Sequence, residues 1–110
     1  SPAVQKVVNY IDFNYQEDLS LKKIADLFSI SPSYLSALFK KETGSTLTEY
    51  INNKRIDISV SLLNTTDSSI QNVAAQVGFL DVNYYTRIFK KLKGISPSAY
   101  RNLINKRINS

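Results

Sequence analysis

Cysteine, histidine and methionine are all absent from this chain. Without cysteine there is no disulfide and no thiolate metal ligand. Without histidine the commonest general base and the commonest zinc ligand are gone. The scattered Asp and Glu show no paired spacing and no nucleophile–base pair is visible, so no catalytic residue, metal site or cofactor is expected. The lack of any methionine, an initiator included, predicts a fragment of a longer protein. Glycine and proline number three each and form no linker-like cluster, so the chain reads as folded from end to end. No apolar run approaches the roughly 18–20 residues that span a bilayer. No signal peptide is visible. No membrane partner is expected, and the expected location is cytoplasmic.

What is present is an excess of positive charge. The 110 residues hold 14 Lys and Arg against 9 Asp and Glu. Residues 1–55 carry 7 basic and 6 acidic side chains, whereas residues 56–110 carry 7 and 3, so the excess lies in the second half. Such a balance suits a polyanionic partner without identifying it. The length suits one compact domain, or two small lobes sharing a connector.

Apolar residues recur at spacings of three and four almost throughout, the period of an amphipathic helix. Val4, Val7, Val8 and Ile11 mark a first helix that fades near Asn14. Ser20 caps a short second helix with Leu21, Ile24, Ala25 and Phe28. Ser31-Pro32 starts a third, whose Leu35, Leu38 and Phe39 turn inward before Gly44. Thr46 and Glu49 fit a capping box opening a fourth helix to about Leu63, with Leu47, Ile51, Ile58 and Leu62 among its apolar positions. Ile70, Val73, Ala74 and Val77 form a fifth, closed by Gly78. Asp81 caps a sixth with Tyr85, Ile88, Phe89 and Leu92. Ser96-Pro97 starts a seventh holding Tyr100, Leu103 and Ile104. Phe28, Phe39, Phe79, Phe89, Tyr50 and Tyr100 read as core rather than as stacking platforms for single strands. The expected fold is all-α: seven helices and no strand.

One phrase occurs twice. The offset is 49 residues at Ala25/Ala74, and 50 at Tyr34/Tyr84, Phe39/Phe89, Lys40/Lys90, Lys41/Lys91, Gly44/Gly94 and Tyr50/Tyr100. One extra residue therefore sits in the second turn. Each copy pairs two helices across a short turn, as a helix–turn–helix does. The expected organisation is a first subdomain over residues 1–46, a long connecting helix over 47–63 and a second subdomain over 64–110, together one DNA-binding domain.

A recognition helix buries one face and offers its exposed N-terminal positions to base edges. In the third helix that leaves Ser33, Ser36 and Ala37; in the sixth, Val82, Asn83, Thr86 and Arg87. The Arg87 fork matches the O6/N7 edge of guanine, a contact worth roughly 1–3 kcal/mol of discrimination. The plainer reading is a solvated arginine, or one paired with Asp81. Asn83 suits adenine or a helix cap; Val82 suits a thymine methyl or packing. Serine discriminates weakly, so the second unit is expected to carry more of the specificity. Lys40, Lys41, Lys90, Lys91 and Lys93 suit phosphates, as do Tyr34 and Tyr84. Thr46 and Ser96 stand at helix starts whose N–H groups could face phosphates, although both are also ordinary caps. The rival class is a basic helical protein-interaction module with only non-specific, salt-sensitive DNA affinity.

The second copy, Val77-Gly78-Phe79-Leu80-Asp81-Val82-Asn83-Tyr84-Tyr85-Thr86-Arg87-Ile88-Phe89-Lys90-Lys91 with Gly94-Ile95-Ser96-Pro97-Ser98-Ala99-Tyr100-Arg101, closely resembles the signature of the AraC/XylS transcriptional regulators. Ser31-Pro32-Ser33-Tyr34-Leu35 and Phe39-Lys40-Lys41-Glu42-Thr43-Gly44 resemble the same family's upstream unit, in the manner of YesN-type response regulators. Arg55, Leu62 and Leu63 match its connecting helix, and the resemblance covers roughly residues 4–104. It implies double-stranded DNA read by the third and sixth helices in successive major grooves, bacterial transcription regulation, a contact with RNA polymerase, and an N-terminal sensor or receiver domain outside this chain. A connecting helix of about 17 residues, about 25 Å long, would suit reading heads about one DNA turn apart. There are departures. Ala37 stands where many members have a base-reading Arg, which weakens readout by the first unit. Ser29 replaces the frequent turn glycine and predicts a tighter or differently shaped first turn. Ser59 replaces a common alanine, with little effect expected.

Overall fold

Short polar side chains set the helix starts in this chain, because the first N–H groups of a helix have no partner inside it. Ser20 accepts from the Lys23 N–H at 3.0 Å, Ser31 from Tyr34 at 3.1 Å, Ser69 from Asn72 at 3.1 Å and Ser96 from Ala99 at 3.1 Å. Asp81 accepts from Asn83 at 2.8 Å. Both arms of the capping box form: the Thr46 N–H donates to Glu49 at 2.9 Å, and the Glu49 N–H donates to Thr46 Oγ1 at 3.1 Å. Each such cap contributes about 1 kcal/mol.

The resulting structure, a computed structural model describing residues 1–109, contains α1 (Pro2–Asn14), α2 (Leu21–Leu27), α3 (Pro32–Thr43), α4 (Leu47–Thr65), α5 (Ile70–Gln76), α6 (Val82–Lys93) and α7 (Pro97–Asn109). Among the described residues there is no strand, so the fold is all-α as expected. No described helix is long and apolar enough to cross a membrane. α4 runs two residues past the predicted Leu63. The Thr65 and Thr66 hydroxyls there donate to the Ser61 and Leu62 carbonyls, at 2.8 and 2.7 Å, and occupy part of its last turn.

Two compact units form, one over Ser1–Lys54 and one beginning at Arg55, so the boundary falls inside α4. The first buries Val4, Val7 and Ile11 of α1, Ile24 and Ala25 of α2, Leu35 and Phe39 of α3, and Leu47 and Ile51 of α4. The second buries Ile56, Leu63, Val73, Ala74, Val77, Phe79, Tyr85 and Phe89. Of the apolar positions predicted for α4, Ile58 and Leu62 are only half-buried; Ile56, Ser59 and Leu63 take the inner places instead. α4 contributes to two cores, with Leu47 and Ile51 in the first and Ile56 and Leu63 in the second.

Phe28, Tyr50 and Tyr100 are half-buried rather than interior. Each meets a neighbour edge-on, in the pairs Tyr10–Phe28, Phe39–Tyr50 and Phe89–Tyr100. The Tyr50 hydroxyl reaches outward and donates to Asp12 at 3.0 Å. Burial, then that hydrogen bond and the Asp12 charge, push its pKa up to about 12. Leu92 and Leu103 are likewise more exposed than the helical pattern suggests.

Candidate nucleic-acid interface

The two helix–turn–helix units are the same backbone written twice. α2 and α5 match at an offset of 49 residues; α3 and α6, and the starts of α4 and α7, match at 50. Both turns close as Schellman motifs. The Ile30 N–H donates to Ala25 O and the Ser29 N–H to Asp26 O. The Phe79 N–H donates to Ala74 O and the Gly78 N–H to Ala75 O. Such a turn needs a left-handed residue after the helix. Gly78 supplies it at φ 105°, and Ser29 supplies it at φ 56°. The expectation of a differently shaped first turn is therefore corrected: Ser29 adopts the left-handed backbone and the hydrogen-bond pattern is retained. The extra residue of the second turn is Leu80, which follows the motif, precedes the Asp81 cap and is 99% exposed.

These turns present α3 and α6 with one face buried. In α6, Tyr85 and Phe89 are in the core, while Asn83, Arg87, Lys90 and Lys91 are exposed. Residues 83, 87 and 90/91 lie one turn apart on one helix side. Val82, Tyr84 and Thr86 are half-buried. The Thr86 hydroxyl donates to Val82 O at 2.9 Å, which leaves it as an acceptor only. Asp81 performs the cap, so the exposed Asn83 side chain is not needed for one. The Asp81 pairing considered for Arg87 is not formed. The guanidinium instead lies over the Tyr84 ring, 5.3 Å from its centroid.

In α3, Ser33, Ser36, Ala37 and Lys40 are exposed, and Tyr34 is 58% exposed. Lys40 and Lys41 fill the last turn of α3; Lys90, Lys91 and Lys93 fill that of α6. Cations there also complement the negative helix end, so their recurrence has a structural reason beside any ligand. Lys40 lies 3.9 Å from Glu49, an exposed pair worth little. Lys93 donates to Asp57 at 3.1 Å, which commits part of its charge inside the second unit. The Thr46 and Ser96 oxygens accept cap hydrogen bonds, yet each hydroxyl keeps its own proton to donate.

Three roles escaped the sequence. Ser59, expected to matter little, is fully buried; it accepts from the Tyr85 hydroxyl at 2.9 Å and donates to Ile56 O at 2.7 Å. Burial holds the Tyr85 pKa above its ordinary value. Arg55 lies over Phe79, 5.7 Å from its centroid. Arg101 donates to Leu63 O, Thr66 O and Ser68 O, closing the end of α4. Arg55 and Arg101 stand out in the sequence only as residues that match the family pattern, which does not give their partners.

A family model described as a helix-turn-helix domain matches residues 24–103. The uncharacterized HTH-type transcriptional regulator YijO of Escherichia coli K12 is 39% identical over 97 residues, 88% of this chain and 34% of YijO. The chain thus spans about a third of the length of that relative. The C-terminal domain of the two-component response regulator YesN from Fusobacterium nucleatum is similar at a TM-score of 0.87 and 36% identity, covering 92% of this chain and 99% of that one. The DNA-binding domain of AdpA, solved in complex with a target DNA, is similar at a TM-score of 0.89 and 26% identity, covering 94% of each chain. With its duplicated helix–turn–helix and a family match over most of its length, the chain belongs to the AraC/XylS-type transcriptional regulators.

Proposed function

We propose that this domain binds double-stranded DNA in a sequence-specific manner, with α3 and α6 in successive major grooves, and so regulates bacterial transcription. The observation that carries the reading is the exposed Asn83–Arg87 row at the start of α6, inside a unit whose backbone is repeated at α3. Arg87 reads guanine through its two-pronged edge and Asn83 suits adenine. Val82 and Thr86 offer a methyl and an acceptor beside them. Ser33, Ser36 and Ala37 make the poorer base contacts of the first unit. Lys40, Lys41, Lys90, Lys91 and Lys93, with Tyr34, Tyr84, Thr46 and Ser96, bind phosphates and set the register. The AdpA complex supports the DNA partner by similarity. RNA polymerase and a sensor or receiver domain N-terminal to this one complete the proposed regulator.

Selection from a randomised duplex pool of about 30 bp, enough for two major-groove sites one turn apart, tests this. Two enriched boxes about 10 bp apart are expected, one of them lost with Arg87→Ala. Salt-sensitive binding without any enriched sequence would instead identify a basic interaction module.

A further inference from the structure

We infer that Tyr84 is a positioning residue for sequence readout: its ring is the platform that fixes the Arg87 guanidinium before DNA arrives. The inference rests on Arg87 being the base reader proposed above. The Arg87 carbon Cζ stands 5.3 Å from the Tyr84 ring centroid, within range of a cation–π contact. The two residues are three apart in α6, where side chains meet on one helix side. The platform is itself in contact with the core. Phe79, 4% exposed, packs against the Tyr84 ring with centroids 5.9 Å apart. Arg55 lies over Phe79 in turn, 5.7 Å from its centroid. Arg87 therefore ends a row of rings and guanidinium groups in contact that begins on α4, and its long side chain has less rotamer freedom to lose on binding. Arginine suits the place because its planar fork can lie flat on a ring and still offer two parallel donors at its edge.

The first unit supplies the internal control. Tyr34 occupies the same register in α3, yet Ile30 stands where Phe79 would, and Ala37 where Arg87 would. Tyr34 is 58% exposed, whereas Tyr84 is half-buried.

The test measures dissociation constants for the selected duplex and for the same duplex changed at the base pair that Arg87→Ala ceases to distinguish. The ratio of the two constants is the readout. Tyr84→Phe keeps the ring face and is expected to keep the ratio, whatever it does to overall affinity through the lost hydroxyl. Tyr84→Leu is expected to lower the ratio about two- to five-fold, the size of an exposed cation–π contact. Tyr34→Leu removes a phosphate ligand of the first unit, so it is expected to weaken binding to both duplexes alike and to keep the ratio. In the free protein, NMR should show Arg87 side-chain protons shifted upfield by the ring current in wild type and Tyr84→Phe, and unshifted in Tyr84→Leu. Equal ratios for Tyr84→Leu and Tyr84→Phe would overturn the platform while leaving Arg87 as the reader. An Arg87→Ala protein with unchanged base preference would overturn both.

Discussion

The first and second units share a backbone and differ in chemistry. Helix starts, Schellman turns and the left-handed glycines after α3 and α6 occur in both at nearly constant offsets. Side chains at matched places do not agree. Leu35 answers to Tyr85, Ala37 to Arg87, Ile30 to Phe79, Ser29 to Gly78 and Ile51 to Arg101. At three of these places, Leu35, Ile30 and Ile51, the first unit turns a purely apolar side chain toward its core. The second adds a buried hydroxyl pair, a row of ring and guanidinium contacts, and a guanidinium bound to carbonyls at and just beyond the end of α4. The fold requires only the caps, the turns and an apolar inner face, so these are kept in both copies. Reading a base requires particular donors on the outer face, and those are free to diverge.

The largest difference should appear in base readout. Arg87→Ala is expected to lose about 1–3 kcal/mol of discrimination at one position. Ser33→Ala with Ser36→Ala should lose clearly less, measured by selection on the same pool. A larger loss from the serines would reverse the ranking of the units. Stability separates the cores next. Ser59→Ala strands the buried Tyr85 hydroxyl and should cost about 1–3 kcal/mol in denaturant unfolding. Adding Tyr85→Phe should recover part of that cost; strict additivity would mean that the hydrogen bond contributes nothing.

The two turns make a closer comparison. Gly78→Ala forces a side chain onto φ 105° and is expected to cost about 1–3 kcal/mol. Ser29→Gly relieves the left-handed serine but adds chain entropy, for a net gain below about 1 kcal/mol. Equal thermal shifts of the same sign would show that the turns are not equivalent. Smallest of all is Leu80→Ser. At 99% exposure this residue should shift unfolding by less than about 0.5 kcal/mol, and a larger shift would give the extra turn residue a structural role.

Much of the architecture was legible in the sequence because its signals are local. A cap and its N–H lie two or three residues apart, and apolar spacing repeats within one helix. The same locality kept the exposed positions of α3 and α6 in view, since removing the inward residues leaves the outward ones. What could not be read involves partners far along the chain or groups that every residue carries. Tyr85 meets Ser59 across 26 residues. Arg101 binds carbonyls 33 to 38 residues back, and a carbonyl has no sequence signature. Tyr84 and Arg87 are only three residues apart, so their contact was within reach of helical spacing. The sequence offers the tyrosine as a phosphate ligand through its hydroxyl, and residue type alone does not show which neighbour meets the face of its ring. The Ser29 turn is not legible either, because serine is an uncommon left-handed residue and the hydrogen bonds around it set its backbone.

Arg101 has one further consequence. Three hydrogen bonds from a single α7 side chain reach the segment where α4 ends. Helix ends ordinarily fray alone and on their own timescale. Here the last turn of α4 cannot open without releasing that guanidinium, so its amide protons should exchange in step with those of α7. Two segments distant in sequence then behave as one cooperative unit of local unfolding, with a lone arginine as the latch between them.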